Sequence, residues 1–370
     1  MNNILMIVVD CLRYDHYLFL ERTLSILPNK VTFHNAWNVA PMSDPNFASI
    51  LTGTHPDTHG VLTQCMDTML PTLPVILQKA GWETFGSSVG YSGAIKTNNG
   101  LASFYTRGFG RWDWLDFHGV FPGDRIWNAN LQDMKEPWFT MLRPMDLHGH
   151  FRPNGYMKAL ELLDVELHKL LKRTFDRFPD TVVILMADHG QGLGERGISG
   201  HRESLYQFLT HVPVIWSGPN FIRSNHHGFF QHTDISNTLA VMTNNDFGPL
   251  DGLDWTPTLI GGGPQEYRDH VIMFSFGSES RTEFNLSELW AYRAIRNSVW
   301  VCYCKKRYDE WETELYSVVD DPYEEHEVSK CSPRTTRLLV KDMEWPKLDA
   351  LQEYDEKVVL ERLRAIGYAD

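Results

Sequence analysis

Residues 180–197 read DTVVILMADHGQGLGERG. The stretch Thr181–Ala187 is almost continuously apolar, as a strand covered on both faces must be, and it stops abruptly on Asp188 and His189. The same pattern recurs. Ile4–Val9 is an apolar run that ends on Asp10, and Trp138–Leu142 is followed by Asp146, His148 and His150. Val212–Trp216 reads as a fourth strand. Helical spacing separates these runs, over Pro71–Ala80 (stopped by Gly81), Tyr156–Phe175 and Ile235–Met242. Strands alternating with helices predict an α/β three-layer sandwich with a mostly parallel central sheet. After about residue 270 the pattern changes. Leu289–Tyr303 alternates and is rich in aromatic and β-branched residues, which predicts a small antiparallel sheet, and a charged, helix-like tail follows. Gly261–Tyr267 is the best boundary, giving a larger α/β domain over 1–265 and a C-terminal α+β subdomain over 266–370.

Composition limits the partners. Among 370 residues, 34 Lys and Arg against 47 Asp and Glu leave a formal charge of −13. Such a surface repels nucleic acid and anionic membranes, so the expected partner is a small molecule. An anionic substrate then needs metal ions or a few placed basic groups. Five cysteines, at 11, 65, 302, 304 and 331, fit no disulfide framework and read as reduced thiols of a cytoplasmic protein. The opening MNNILMIVVDCLR reads as a buried strand, not a signal peptide, and no stretch reaches the roughly 20 apolar residues that span a membrane. Oligomeric state is left open.

In sheets of this kind ligands bind beyond the carboxyl ends of the strands. Asp10, Asp146, His148, His150, Asp188 and His189 all fall there, with His201 on the loop just after. Any one of them alone reads as a cap or a solvated loop group. Their repetition at one edge suits a divalent cation, and zinc, manganese, calcium and magnesium all remain open. Ser43, in APMSDPNFASILTG (40–53), precedes the helix-like FASIL. A serine there is either a simple N-cap or a nucleophile favoured by the helix dipole and free amides. Other residues read as structural: His55 and His59 in a helix end closed by Gly60, His211 at a strand edge, His226 and His227 in an exposed loop, Cys11 as a small buried residue, and Glu324–Glu327 as a solvated turn.

In order along the chain, VDCLR (9–13), PMSDPNFASILTGTHPDTHGV (41–61), LPTLPVILQKAGWETFG (70–86), MDLHGHFRP (145–153), DTVVILMADHGQGLGERG, SLYQFLTHVPVIWSGP (204–219), HTDISNTLAVM (232–242) and ELYSVVDDPYEEHEV (314–328) resemble the sulfatase branch of the alkaline phosphatase superfamily. The resemblance implies that Asp10, Asp188 and His189 hold a divalent metal and that Ser43 is the nucleophile and touches it. It makes His148 the general acid or a leaving-group contact. His201 falls where related phosphoethanolamine transferases have a histidine facing substrate or metal. Arg13 and Asn46 would help hold the anionic group.

Two departures stand out. Sulfatases oxidise a cysteine or serine to formylglycine within C/S-x-P-x-R, whereas Ser43-Asp44-Pro45-Asn46-Phe47 lacks the arginine. The second residue of the opening acidic pair is Cys11. Ser43-x-Pro45-Asn46 looks instead like the T-x-P-N of nucleotide pyrophosphatases and phosphodiesterases. Asp146-x-x-Gly149-His150 looks like their second-metal motif, with His201 or His232 as a further ligand, so one and two metals are both open. The expected activity is metal-dependent hydrolysis of a phosphate or phosphonate ester through a covalent Ser43 intermediate. The alternatives are a sulfatase with Ser43 oxidised to formylglycine, a phosphoryl transferase, and a non-catalytic anion-binding relative.

Overall fold

The computed structural model describes residues 3–343 other than 64–65, 90–102, 116–119, 150–154, 202–203, 249, 264–265, 279–288 and 308–309. Its centre is an eight-stranded sheet in the order 224–226, 31–33, 214–217, 181–187, 3–9, 138–143, 83–89, 111–115. All neighbours are parallel except 214–217, which runs against both of its partners, so the sheet is mostly parallel as expected. The apolar runs are its middle. Asn3–Val9 and Thr181–Ala187 are buried at every position, so both faces of the sheet are covered.

The helices form two groups. Tyr156–Arg177 packs with Glu21–Ile26 and Gly123–Ile126, while Ser43–Thr52 packs with Pro56–His59, Leu73–Lys79 and Asp234–Thr243. In the long helix Leu160, Leu163, Leu167, Leu170, Leu171 and Thr174 recur at helical spacing and are buried. Asp164 is buried on the same face, where its carboxylate accepts the amides of Arg22 and Thr23 and so caps the neighbouring helix from a distance. The Ser43–Thr52 helix is buried at all ten positions.

The C-terminal sheet is four antiparallel strands in sequence order, His270–Ser278, Leu289–Asn297, Trp300–Arg307 and Glu310–Ser317. The Pro333–Asp342 helix lies against it, with Leu339 among Ile295, Cys302, Cys304 and Leu315. The rest of the expected tail, from 344 on, lies outside the described residues.

Four strands of the main sheet were not expected from sequence. Val31–Phe33 and Ser224–His226 span three residues each, too short for a period to show. Glu83–Val89 (ETFGSSV) hides its place in the sheet behind buried small polar residues, Thr84, Ser87 and Ser88, and Arg111–Leu115 (RWDWL) is the edge strand, half-exposed along most of its length. Leu185 is fully enclosed in the central strands. Leu185→Ala is expected to lower stability by about 2–5 kcal/mol through lost burial and a residual cavity, read as a shifted urea midpoint.

Candidate active site

Strand register builds the site. Val9 pairs with Ala187, so Asp10 and Asp188 leave the sheet side by side. Ile7 pairs with Leu142, and the Asp10 amide donates to Pro144 O at 2.9 Å, which brings Arg143 alongside Asp10. Ser43 arrives from the other direction, as the first residue of its buried helix, with Met42 extended before it.

Asp10, Asp188 and His189 present ligand atoms all within 4.8 Å of one another. Ser43 Oγ lies 3.3 Å from Asp10 Oδ2 and 3.2 Å from His189 Nε2. His189 Nδ1 is 2.8 Å from Gly190 O, so Nδ1–H donates outward and Nε2 is left facing the cluster. Asp188 Oδ1 accepts the amides of Cys11 and His189, whereas its buried Oδ2 accepts no hydrogen bond from any described residue. A buried carboxylate oxygen without a donor, beside a second carboxylate and a correctly turned imidazole, fits a divalent cation held by Asp10, Asp188 and His189.

The two carboxylates titrate unequally. Burial alone would raise Asp10, but Arg143, with His148 and His189, overrides it and holds the group well below the carboxylate range. Asp188 is pushed up to about 6 by burial and by the charge of Asp10.

His201 lies beside His189 of this cluster, and His148 lies beside His201. The His201 and His189 ring centroids are 4.2 Å apart with planes tilted by 35°, and His201 Nε2 is 3.5 Å from His148 Nε2. His201 Nδ1 faces Pro41 O at 3.1 Å, which ties it to the turn before the nucleophile.

Other expected site residues are placed elsewhere. Asn46 does not face the cluster. Its Oδ1 accepts the amides of Val39 and Ala40 at 2.9 and 3.2 Å, and its Nδ2 donates to Ala40 O and Met42 O. It is a fully buried lock on the turn that aims Ser43. Removing it in Asn46→Ala strands two buried amides, so unfolding is expected to become easier by about 1–3 kcal/mol in urea titrations. His232, buried behind the turn, donates from Nε2 to Ala187 O at 3.0 Å and sets Nδ1 3.2 Å from Asn46 Oδ1, as a strut whose basicity burial lowers to about 3. Arg13 pairs with Asp15 and Glu195 and donates to Gln191 O, bracing the opening loop against the segment after Asp188. Asp146 accepts the Phe121 amide and joins no group of metal-capable side chains among the described residues; burial pushes it up to about 7. His150, its expected partner, lies outside the described residues.

Two of the structural readings are corrected: Glu324, expected in a solvated turn, is buried and its carboxylate accepts from Arg296 Nη1 and the Tyr303 hydroxyl, and His226, expected in an exposed loop, closes a strand of the main sheet and is half-buried. His59 links Ser49 Oγ and the Val61 amide, both at 3.0 Å, and His211 is stacked between Tyr14 and Trp37. Cys11 is buried as expected, but its thiol also meets Asp10 Oδ1 at 3.0 Å and Gln191 Oε1 at 3.2 Å.

Sequence reasoning missed Arg143. Its Nη2 donates to Ser43 Oγ at 2.7 Å and also to Asp10 Oδ2. The only signal was a basic residue closing an apolar strand in WFTMLRP (138–144).

The family model described as Sulfatase matches residues 2–244. No curated protein matches the sequence. Among solved structures, a 2-O GAG sulfatase is 17% identical, with TM-score 0.72, covering 96% of this chain and 92% of that one. A phosphonate monoester hydrolase of Agrobacterium radiobacter is 14% identical, with TM-score 0.72 and coverage of 95% and 96%. A protein solved with its substrate D-glucosamine-2-N,6-O-disulfate is 14% identical, with TM-score 0.71 and coverage of 96% and 99%. These likenesses establish the fold, and the family model spans well over half of the 370 residues, including Asp10, Ser43, Asp188 and His189. On that ground the chain belongs to the sulfatase family.

Proposed function

We propose that the protein hydrolyses a phosphate or phosphonate ester of a small molecule through a covalent intermediate on Ser43. One observation carries the reading: a serine oxygen stands at the N-terminus of a buried ten-residue helix, ringed by Arg143, Asp10 and His189 within 3.3 Å. The choice of phosphorus rests on chemistry. An unmodified serine can take a phosphoryl group and be cleared by water, whereas the sulfatase route needs the aldehyde hydrate. The arginine of the modification motif C/S-x-P-x-R is replaced here by a buried Phe47.

A divalent ion held by Asp10, Asp188 and His189 would supply Lewis acidity to the serine and ester oxygens. Ser43 Oγ, ionised beside Arg143 with its proton released to solvent, attacks phosphorus, the bond to the ester oxygen breaks, and His148 gives that oxygen a proton as the alcohol leaves. Water then attacks the phosphoserine, His148 takes the water's proton, and Ser43 is regenerated as phosphate or phosphonate departs. Helix amides and Arg143 hold the anionic oxygens throughout. His201, 3.5 Å from His148, orients the acid.

A second reading, sulfate ester hydrolysis with Ser43 oxidised, is favoured by the sulfatases among the structural neighbours. Turnover of aryl phosphate, aryl phosphonate and aryl sulfate with added zinc, manganese, calcium or magnesium separates the two. Phosphorus ester turnover with little sulfate release supports the first. Dominant sulfate release overturns it.

A further inference from the structure

We propose that Arg143 is a catalytic residue, the fixed cation that orients and activates Ser43, delivered through space to a nucleophile whose own helix carries Phe47 where the C/S-x-P-x-R motif has its arginine. The inference rests on the proposed function only for the identity of the transferred group.

The position is built rather than incidental. Arg143 closes the Trp138–Arg143 strand, and its side chain is 11% exposed. The guanidinium lies 4.8 Å from the ring centroid of Phe47 and 5.7 Å from that of Tyr105, whose rings pack against each other at 4.9 Å. Tyr105 is held in turn by its hydroxyl, which donates to Asp44 Oδ1 at 2.8 Å. The Ser43–Phe47 segment thus divides its work. Ser43 meets the guanidinium at 2.7 Å, Asp44 holds one aromatic wall, Asn46 locks the turn, and Phe47 is the other wall. An arginine at 47 would meet a like charge at that distance, whereas an aromatic face attracts the cation.

The chemistry follows from the donor direction. Arginine has no acceptor and stays charged, so Nη2–H donates to Ser43 Oγ and favours the oxygen once its proton has gone. Nη2 also reaches Asp10 Oδ2 and lies 3.9 Å from Asp188 Oδ2, so the guanidinium fixes the serine oxygen beside both carboxylates. When Ser43 carries the phosphoryl group, the same N–H faces its anionic oxygens.

The test compares wild type with Arg143→Lys and Arg143→Gln in three measurements. The first is turnover of the best aryl ester. The second is the rate at which metal-free protein is labelled at Ser43 by an aryl fluorophosphonate. The third is affinity for zinc and manganese by titration calorimetry. Losing one aimed donor is expected to lower kcat about 10²- to 10³-fold in Arg143→Gln and to slow Ser43 labelling by a comparable factor, with Arg143→Lys recovering part of both. Metal affinity is expected to hold or rise, because a positive charge has left the carboxylates. Labelling and kcat within threefold of wild type overturn the proposal, as does a kcat loss that comes with weakened metal binding, which would make Arg143 only a support for the metal site. If wild type turns over aryl sulfate alone, the phosphorus reading falls, and the sulfate kcat of the same variants still decides the role of Arg143.

Discussion

Ser43→Ala is expected to lower turnover by about 10⁴-fold or more at saturating substrate, with the fold intact. The size of the loss follows from the role. Without Oγ no covalent intermediate forms, and the remaining groups can only bind and polarise the ester. The fold is expected to survive because Ser43 makes no side-chain cap to its helix; its Oγ partners are Asp10, His189 and Arg143, all on other elements. Steady-state kinetics with circular dichroism checks both halves. A variant within about tenfold of wild type would mean that water, not serine, attacks the ester.

Asp188→Asn is expected to move activity and stability in opposite directions. Replacing a carboxylate ligand by an amide should weaken metal binding by more than about 100-fold, because changes even one shell further out cost 10- to 100-fold. Turnover should fall about 10³-fold, the several kcal/mol that a bound cation supplies. The metal-free protein should become more stable. Asp188 is pushed up to about 6 in the fold by burial and by Asp10, above its ordinary 3.8. The folded state therefore binds more protons than the unfolded chain between those values, and wild-type stability falls as pH rises through that window. The amide still accepts the Cys11 and His189 amides through its oxygen but carries no charge. In melts of metal-free protein the variant should exceed wild type at pH 7 and above. The gap should close below about pH 4, where Asp188 is protonated in both states. A variant less stable than wild type at pH 7 would contradict this.

Legibility of the site in the sequence followed from geometry. Asp10, Asp188 and His189 were readable because each follows a continuous apolar run, and parallel strands deliver their ends to one edge. His148, a few residues beyond the Trp138–Leu142 run, was a candidate on the same ground, whereas His201, on a loop after the Thr181–Ala187 strand, was singled out mainly by the family resemblance. Arg143 was not, because its meaning depends on the register that sets Leu142 beside Ile7 and on the aromatic pair that receives the guanidinium. Asn46 and Arg13 were misplaced because motif analogy does not reveal local competition: four backbone groups claim the amide of Asn46, and two carboxylates claim Arg13. The reversed direction of Val214–Ser217 was hidden because side chains alternate identically in either direction.

On the proposed mechanism Ser43 stays a serine and carries the phosphoryl group. The most direct measurement is the mass of the peptide containing Ser43, from protein made in its native host and quenched in acid during turnover of an aryl phosphate or phosphonate. That peptide is expected to be heavier by one phosphoryl or phosphonyl group in the intermediate, with the rest unmodified serine. A peptide lighter by two hydrogens, the aldehyde of an oxidised serine, would contradict it and assign the protein to sulfate ester hydrolysis.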